Sequence, residues 1–126
     1  MKKKAIIITD GSEVIQLIAS SMAKAHPDLS VKIFNAQKFI GSDLLPYSIF
    51  ILGCEKPKPD SFAYLEDFLS HINLASRKCG VFSTDSKAVS YLGKIVKSCE
   101  ADLIEPLQMS DKISVPALKK WLKGLF

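Results

Sequence analysis

The chain has 126 residues, of which 48% are hydrophobic and 24% charged, with 17 basic side chains against 13 acidic for a net charge of +4. That is the length of one domain, residues 1–126, and a chain of this size buries an ordinary core without disulfides or metal. The composition is that of a soluble globular protein, no segment reaches the length of a membrane span, and no aromatic-basic ribbon of the nucleic-acid-binding kind is present.

The chain opens on Met1-Lys2-Lys3-Lys4, a basic start like that of a signal peptide. The apolar run behind it ends at Ile8, too short for a signal core, so these lysines are read as flanking a first strand. That strand is Ala5 to Thr9, an unbroken apolar run rich in isoleucine, as a central parallel strand requires. Residues 13–25 place Val14, Leu17, Ile18, Met22 and Ala25 on one helical stripe, and His26-Pro27 ends the helix. Val31 to Phe34 is a short second strand. A polar connection from Asn35 to Pro46 follows, with room for one helical turn.

Tyr47 to Leu52 is the third strand, ended by Gly53. Cys54-Glu55-Lys56-Pro57-Lys58-Pro59-Asp60 is a loop, because two prolines interrupt both regular structures. Residues 61–72 put Phe62, Leu65, Phe68, Leu69 and Ile72 on one helix face, and Cys79 to Ser83 is the fourth strand. Val89, Leu92, Ile95 and Val96 mark a helix over 86–98, and Asp102 to Ile104 is a short fifth strand. Residues 115–125 repeat the helical spacing with Leu118, Trp121, Leu122 and Leu125, and Pro116 sits in the first turn, where proline is tolerated. Lys119, Lys120 and Lys123 on that helix are read as a solvated face near a helix C-terminus, not as a nucleic-acid patch.

Strands alternating with helices in this way predict βαβ units and an α/β fold: a parallel five-stranded sheet, doubly wound through right-handed crossovers. Ligands of such a sheet bind outside the carboxyl ends of its strands. That directs attention to three loops, Asp10 to Glu13, Gly53 to Asp60 and Ser83 to Ser86. Asp10 with Glu13 three residues on fits a capping-box-like helix start, and both are also candidates for a ligand role. Cys54 is read either as a reactive thiol, with Lys56 or Lys58 lowering its pKa, or as a half-buried inert one. Ser83, Thr84, Asp85 and Ser86 are read as an N-cap whose hydroxyls are also able to hold an anion. Three cysteines, Cys54, Cys79 and Cys99, in no metal-like spacing fit reduced thiols in a cytoplasm. His26 and His71 lack partners at metal-ligand or catalytic spacing and are read as surface or capping residues.

Several local stretches resemble the flavodoxin family over essentially the whole chain. Asp43-Leu44-Leu45-Pro46-Tyr47 followed by Ile49-Phe50-Ile51-Leu52-Gly53-Cys54 resembles the family's third strand, which ends in Leu-Gly before the flavin loop. Phe68-Leu69, then Lys78-Cys79-Gly80-Val81-Phe82-Ser83-Thr84, resembles its fourth strand. Ala101-Asp102-Leu103-Ile104-Glu105-Pro106-Leu107 and Trp121 resemble its last strand and helix. The resemblance implies a flavodoxin-like three-layer αβα sandwich with strand order 2-1-3-4-5. It also implies FMN as cofactor, electron transfer as activity and a protein redox or regulatory partner; the composition adds that neither nucleic acid nor membrane is a partner.

By the same resemblance the cofactor-binding positions are Asp10, Gly11, Ser12 and Glu13, then Gly53, Cys54, Glu55 and Lys56, then Ser83, Thr84 and Asp85. The family's phosphate loop reads Thr/Ser-x-Thr-Gly-Asn-Thr. Aligning the helix on Ile18-Ala19 and Met22-Ala23 puts Asp10-Gly11-Ser12-Glu13-Val14-Ile15 there, with two carboxylates and a single hydroxyl. A carboxylate about 5 Å from a phosphate charge repels it by roughly 3 kcal/mol at an effective dielectric of ~20, which offsets the attraction of the helix N-terminus. The family also sandwiches the flavin ring between aromatic side chains. Here the third-strand loop has no aromatic before Phe62, and the fourth-strand loop none before Tyr91.

FMN binding is therefore expected to be weakened or lost, in a protein that is an electron carrier or binding module rather than an enzyme. The alternative is a non-catalytic interaction module such as an inactive response-regulator receiver. In that alignment Gly53 stands at the phospho-acceptor position and Glu105 at the lysine position. Neither residue type performs that chemistry.

Overall fold

The computed structural model describes residues 3–110 and 112–125. Met1 and Lys2 of the basic start lie outside the described residues, while Lys3 and Lys4 are exposed at the head of the first strand. β1 (Lys3–Thr9), β2 (Leu29–Asn35), β3 (Ile49–Gly53), β4 (Lys78–Ser83), β5 (Asp102–Leu103) and β6 (Leu107–Gln108) form one sheet. The helices are α1 (Glu13–Ala25), α2 (Ala63–Ser70), α3 (Ser86–Ser98) and α4 (Val115–Lys123). All pairings are parallel and the order is β2-β1-β3-β4-β5, with β6 also on β4.

The isoleucine run explains why β1 is central. Ala5 to Thr9 are fully buried, flanked by β2 on one side and β3 on the other, in the register Ala5↔Val31 and Ala5↔Ile49. Successive side chains point to opposite faces. Ile6 and Ile8, with Phe50 and Leu52 of β3, therefore join Leu65, Leu69, Leu92 and Val96 in a core under α2 and α3. Ala5 and Ile7, with Ile49 and Ile51, join Ile15, Ile18, Met22, Leu118 and Leu122 under α1 and α4. The αβα layers and the 2-1-3-4-5 order are those expected from the sequence.

β2 is longer than Val31 to Phe34, and β3 begins at Ile49, not Tyr47, and includes Gly53; two further elements differ more from that expectation. The fifth strand is not Asp102 to Ile104 but two short pieces, because the chain bulges at Ile104, Glu105 and Pro106 before rejoining β4 at Leu107. The helix expected over 61–72 begins as a turn of 3₁₀ helix, Asp60–Phe62, behind Pro59, and is α-helical only over Ala63–Ser70. The connection between β2 and β3 does hold one short helical turn, Gly41–Leu44. Both histidines cap helix ends, His26 closing α1 and His71 closing α2.

Candidate functional site

The carboxyl ends of β1, β3 and β4 bring together the three loops singled out in the sequence. Thr9, the buried last residue of β1, donates its hydroxyl to Gln16 Oε1 (2.6 Å) and accepts the Gly11 N–H (3.2 Å). Asp10 follows, half-buried. Its Oδ1 accepts the Ser12 N–H (3.0 Å), forming an Asx turn, and also the Ser12 hydroxyl (2.6 Å). Its Oδ2 reaches the next loop and accepts the Glu55 N–H (2.9 Å). Gly11 has φ +82°, and a Cβ there would lie 2.6 Å from Asn35 Nδ2. The left-handed backbone and the nearby Asn35 side chain both favour glycine at this turn.

Asp10 is therefore not the helix cap that its spacing to Glu13 implied. Ser12 occupies the N-cap position in extended backbone, with no cap bond from its own side chain, whose hydroxyl is turned to Asp10 and donates to it. The carboxylate has gone to the N–H groups of the turn and of the neighbouring loop. Glu13 is the first helical residue, exposed at the positive end of the α1 dipole. With Val14, Leu17 and Glu55 it lines a shallow pocket of about 350 Å³. The pocket mouth carries two carboxylates.

Gly53 and Cys54 leave β3 fully buried. The space a Cβ on Gly53 would need is filled by the Phe82 ring, whose nearest atoms stand 2.3–2.7 Å from that position. Burial pushes the Cys54 thiol up to about 12, and the carboxylates of Asp10 and Asp85 add to the shift. Lys56 and Lys58 are exposed, and the charges that act on the buried thiol are the two carboxylates. Cys54 is fully buried and not half-buried as the second sequence reading had it, and burial favours the protonated thiol, which speaks against the reactive reading.

At the end of β4, the buried Ser83 donates its hydroxyl to the Cys54 carbonyl (2.6 Å) and accepts the Asp85 N–H (3.1 Å). Asp85 caps α3, its Oδ2 accepting the Ala88 N–H at 3.0 Å, as the sequence implied for this segment. Thr84 is half-buried between them. Each loop is thus tied to its neighbour, the first to the second through Asp10 and the second to the third through Ser83. Thr9, Gln16, Asn35 and Phe82 belong to this arrangement and were not singled out from the sequence. The Asp-Gly-Ser turn signature was the available clue to the first three; nothing local pointed to Phe82.

No nucleophile, base and orienter come together here. Elsewhere, Asp67, Ser70 and His71 meet at the end of α2. There His71 Nδ1 faces both the Ser70 hydroxyl (2.9 Å) and the Asp67 carbonyl (2.8 Å). A serine–histidine–aspartate relay needs its two partners on opposite ring nitrogens, so this cluster is a helix end. Among the described residues no three His, Cys, Asp or Glu side chains group in a way that would hold a metal ion, and no helix is long and apolar enough to cross a membrane.

No family model matches the chain, and no curated protein matches it. Solved structures do. A flavodoxin of Streptococcus pneumonia TIGR4 superposes with a TM-score of 0.83 at 19% identity, covering 97% of this chain and 96% of that one. A short-chain flavodoxin associated with a non-canonical PDU bacterial microcompartment gives 0.85 at 12% identity, over 99% and 97%. Oxidised Flavodoxin 2 from Bacillus cereus gives 0.78 at 19% identity, over 98% and 97%. With matching layers, strand order and length, the chain has the flavodoxin-like fold.

Proposed function

We propose that the chain is a divergent flavodoxin-like protein whose FMN site is weakened or lost, and which acts by meeting a protein partner at its surface. The observation that carries this reading is the Asp10 clasp. A phosphate at the end of β1 would need backbone N–H groups and hydroxyls of the turn, and Asp10 already takes the Ser12 N–H, the Ser12 hydroxyl and the Glu55 N–H. The chain supplies its own anion. An incoming phosphate has to displace hydrogen bonds to a charged acceptor, worth about 1.5–3 kcal/mol each and not additive. It also arrives beside Glu13 and Glu55.

The flavin ring fares no better. Residues 53–60 and 83–86 contain no aromatic side chain. Phe62 is fully buried in the core, and Tyr91 is half-buried, packed against the same core. The residues present do not fit FMN. Three buried free thiols support a reducing compartment, the cytoplasm. The test is a titration of FMN followed by flavin fluorescence. No quenching at micromolar protein is expected, and a sub-micromolar affinity overturns the reading.

The inactive-receiver reading is supported at one point, the absence of an acceptor where Gly53 lies buried under Phe82. Incubation with acetyl phosphate should add no mass. A stable single phosphoryl adduct on an aspartate would replace the first reading with an active receiver.

A further inference from the structure

The β5–β6 edge is built differently from the rest of the sheet. Between the pairs Cys79↔Leu103 and Phe82↔Leu107 the edge runs three residues, Ile104, Glu105 and Pro106, against two of β4. This is a bulge, and Pro106 is tolerated there because an edge position needs no ladder N–H. The bulge is held firmly: Ile104 N–H donates to the Cys79 carbonyl (3.0 Å), and Trp121 Nε1–H donates to the Glu105 carbonyl (2.7 Å). A groove opens on each side of it. One, of about 400 Å³, lies against α4 over Trp121 and Leu107, with Lys120 on its rim. The other, of about 510 Å³, lies against α3 over Val89 and Gly93, with Lys94 and Lys97 on its rim. The residues lining the two grooves include three lysines and a single carboxylate, Glu105.

Gly93 widens the groove that lies against α3. Glycine inside a helix is destabilising relative to alanine, and four other glycines of this chain are explained by crowding. At Gly11, Gly41, Gly53 and Gly80 an added Cβ would fall 2.3–2.6 Å from an atom of this chain. At Gly93, in the middle of the 13-residue α3, it would meet nothing within 4 Å. The fold does not require this glycine, and its missing side chain leaves the groove floor open.

We propose that the β5–β6 edge docks an extended acidic segment of a partner protein, with apolar side chains seated over Gly93 and Trp121 and carboxylates paired with Lys94, Lys97 and Lys120. An extended chain alternates its side chains between two faces. One segment lying along the edge therefore reaches grooves on opposite sides of the sheet through its side chains, since the bulge and Pro106 leave little ladder for backbone pairing. Apolar linings, and lysines divided between two faces instead of tracking one groove, favour a peptide over a phosphate backbone. The inference is independent of the flavin loops and stands whether or not FMN binds.

The test uses the full chain and a short fluorescein-labelled peptide of alternating aspartate and leucine, followed by fluorescence anisotropy. Saturable binding is expected, with none for a peptide of alternating lysine and leucine. Two variants should each weaken it at least about tenfold. One is the triple change Lys94→Glu, Lys97→Glu and Lys120→Glu. The other is Gly93→Leu, which fills the groove from a position with open space and should leave the melting temperature no lower than wild type. Absence of saturable binding overturns the proposal, as does equal binding by wild type and Gly93→Leu. So does tighter binding of a labelled oligothymidine than of the acidic peptide, which would assign the lysines to nucleic acid.

Discussion

At the carboxyl ends of β1, β3 and β4 the polar groups of each loop are met by groups of the next. Asp10 takes the Glu55 N–H, and Ser83 gives its hydroxyl to the Cys54 carbonyl. Along β5 and β6 the sheet ends in a bulge with a groove on either side, rimmed by lysines, and a helix glycine at which an added Cβ would meet nothing within 4 Å. The fold places its ligands at the first region, yet there the chain has satisfied its own donors. The second region is outside the usual ligand position and has been left open. The contrast teaches that where a site sits is set by topology, whereas whether it is available is set by a few side chains such as Asp10.

The largest expected effect lies under the closed region. Phe82 is fully buried and its ring occupies the space over Gly53, so Phe82→Ala leaves a cavity beneath the β3 loop. The loss should be about 3–5 kcal/mol in urea unfolding. A loss below about 1 kcal/mol would mean that the loops collapse into the space and that the closed region is softer than its hydrogen bonds suggest.

Asp10→Ala attacks the contrast directly. It removes both the Asx turn and the bond to the Glu55 N–H. The cost should be about 1.5–3 kcal/mol, since the acceptor is charged but the donors regain water. This is more than a swap of one helix cap for another would cost, because Asp10 bridges two loops and Ser12 is the cap. Affinity for inorganic phosphate should rise, by about tenfold for each 1.4 kcal/mol of repulsion and competition removed. The gain should shrink at high salt, because the loop is exposed and screened. Thermal melting and calorimetric phosphate titration read the two effects. If stability falls and phosphate affinity does not rise, the turn geometry and not the charge excludes the anion.

What the sequence disclosed follows the range of the forces involved. The isoleucine run of β1 and the helical stripes of α1 and α3 are local patterns, and those elements appear where the periodicity put them. The three candidate loops also lie where topology required. The role of Asp10 was misread because two local motifs compete for one carboxylate, a cap to N3 or an Asx turn to Ser12. The choice is settled by the Glu55 N–H, which is distant in sequence. The second half of the fifth strand was illegible for a similar reason. Leu107 and Gln108 follow a proline and have no pattern of their own, and only pairing with Phe82 and Ser83 makes them a strand.

Two glycine-to-alanine changes close the comparison, because identical chemistry should give opposite signs in the two regions. Gly11→Ala, at φ +82° and with Asn35 Nδ2 2.6 Å from the new Cβ, should cost about 1–2 kcal/mol from the left-handed backbone alone. Gly93→Ala, the smallest effect, should be a gain. Gly93 lies inside α3 with ordinary helical backbone and nothing within 4 Å of the added methyl. The new residue loses less chain entropy on folding than glycine does, and it clashes with nothing. The expected stabilisation is about 0.5–1 kcal/mol, read as a rise in the urea midpoint at unchanged slope. A loss of stability instead would mean that the α3 face closes on the edge in solution. The groove over Gly93 would then belong to the internal packing of the fold, and the contrast between a closed cluster and an open edge would fail at that point.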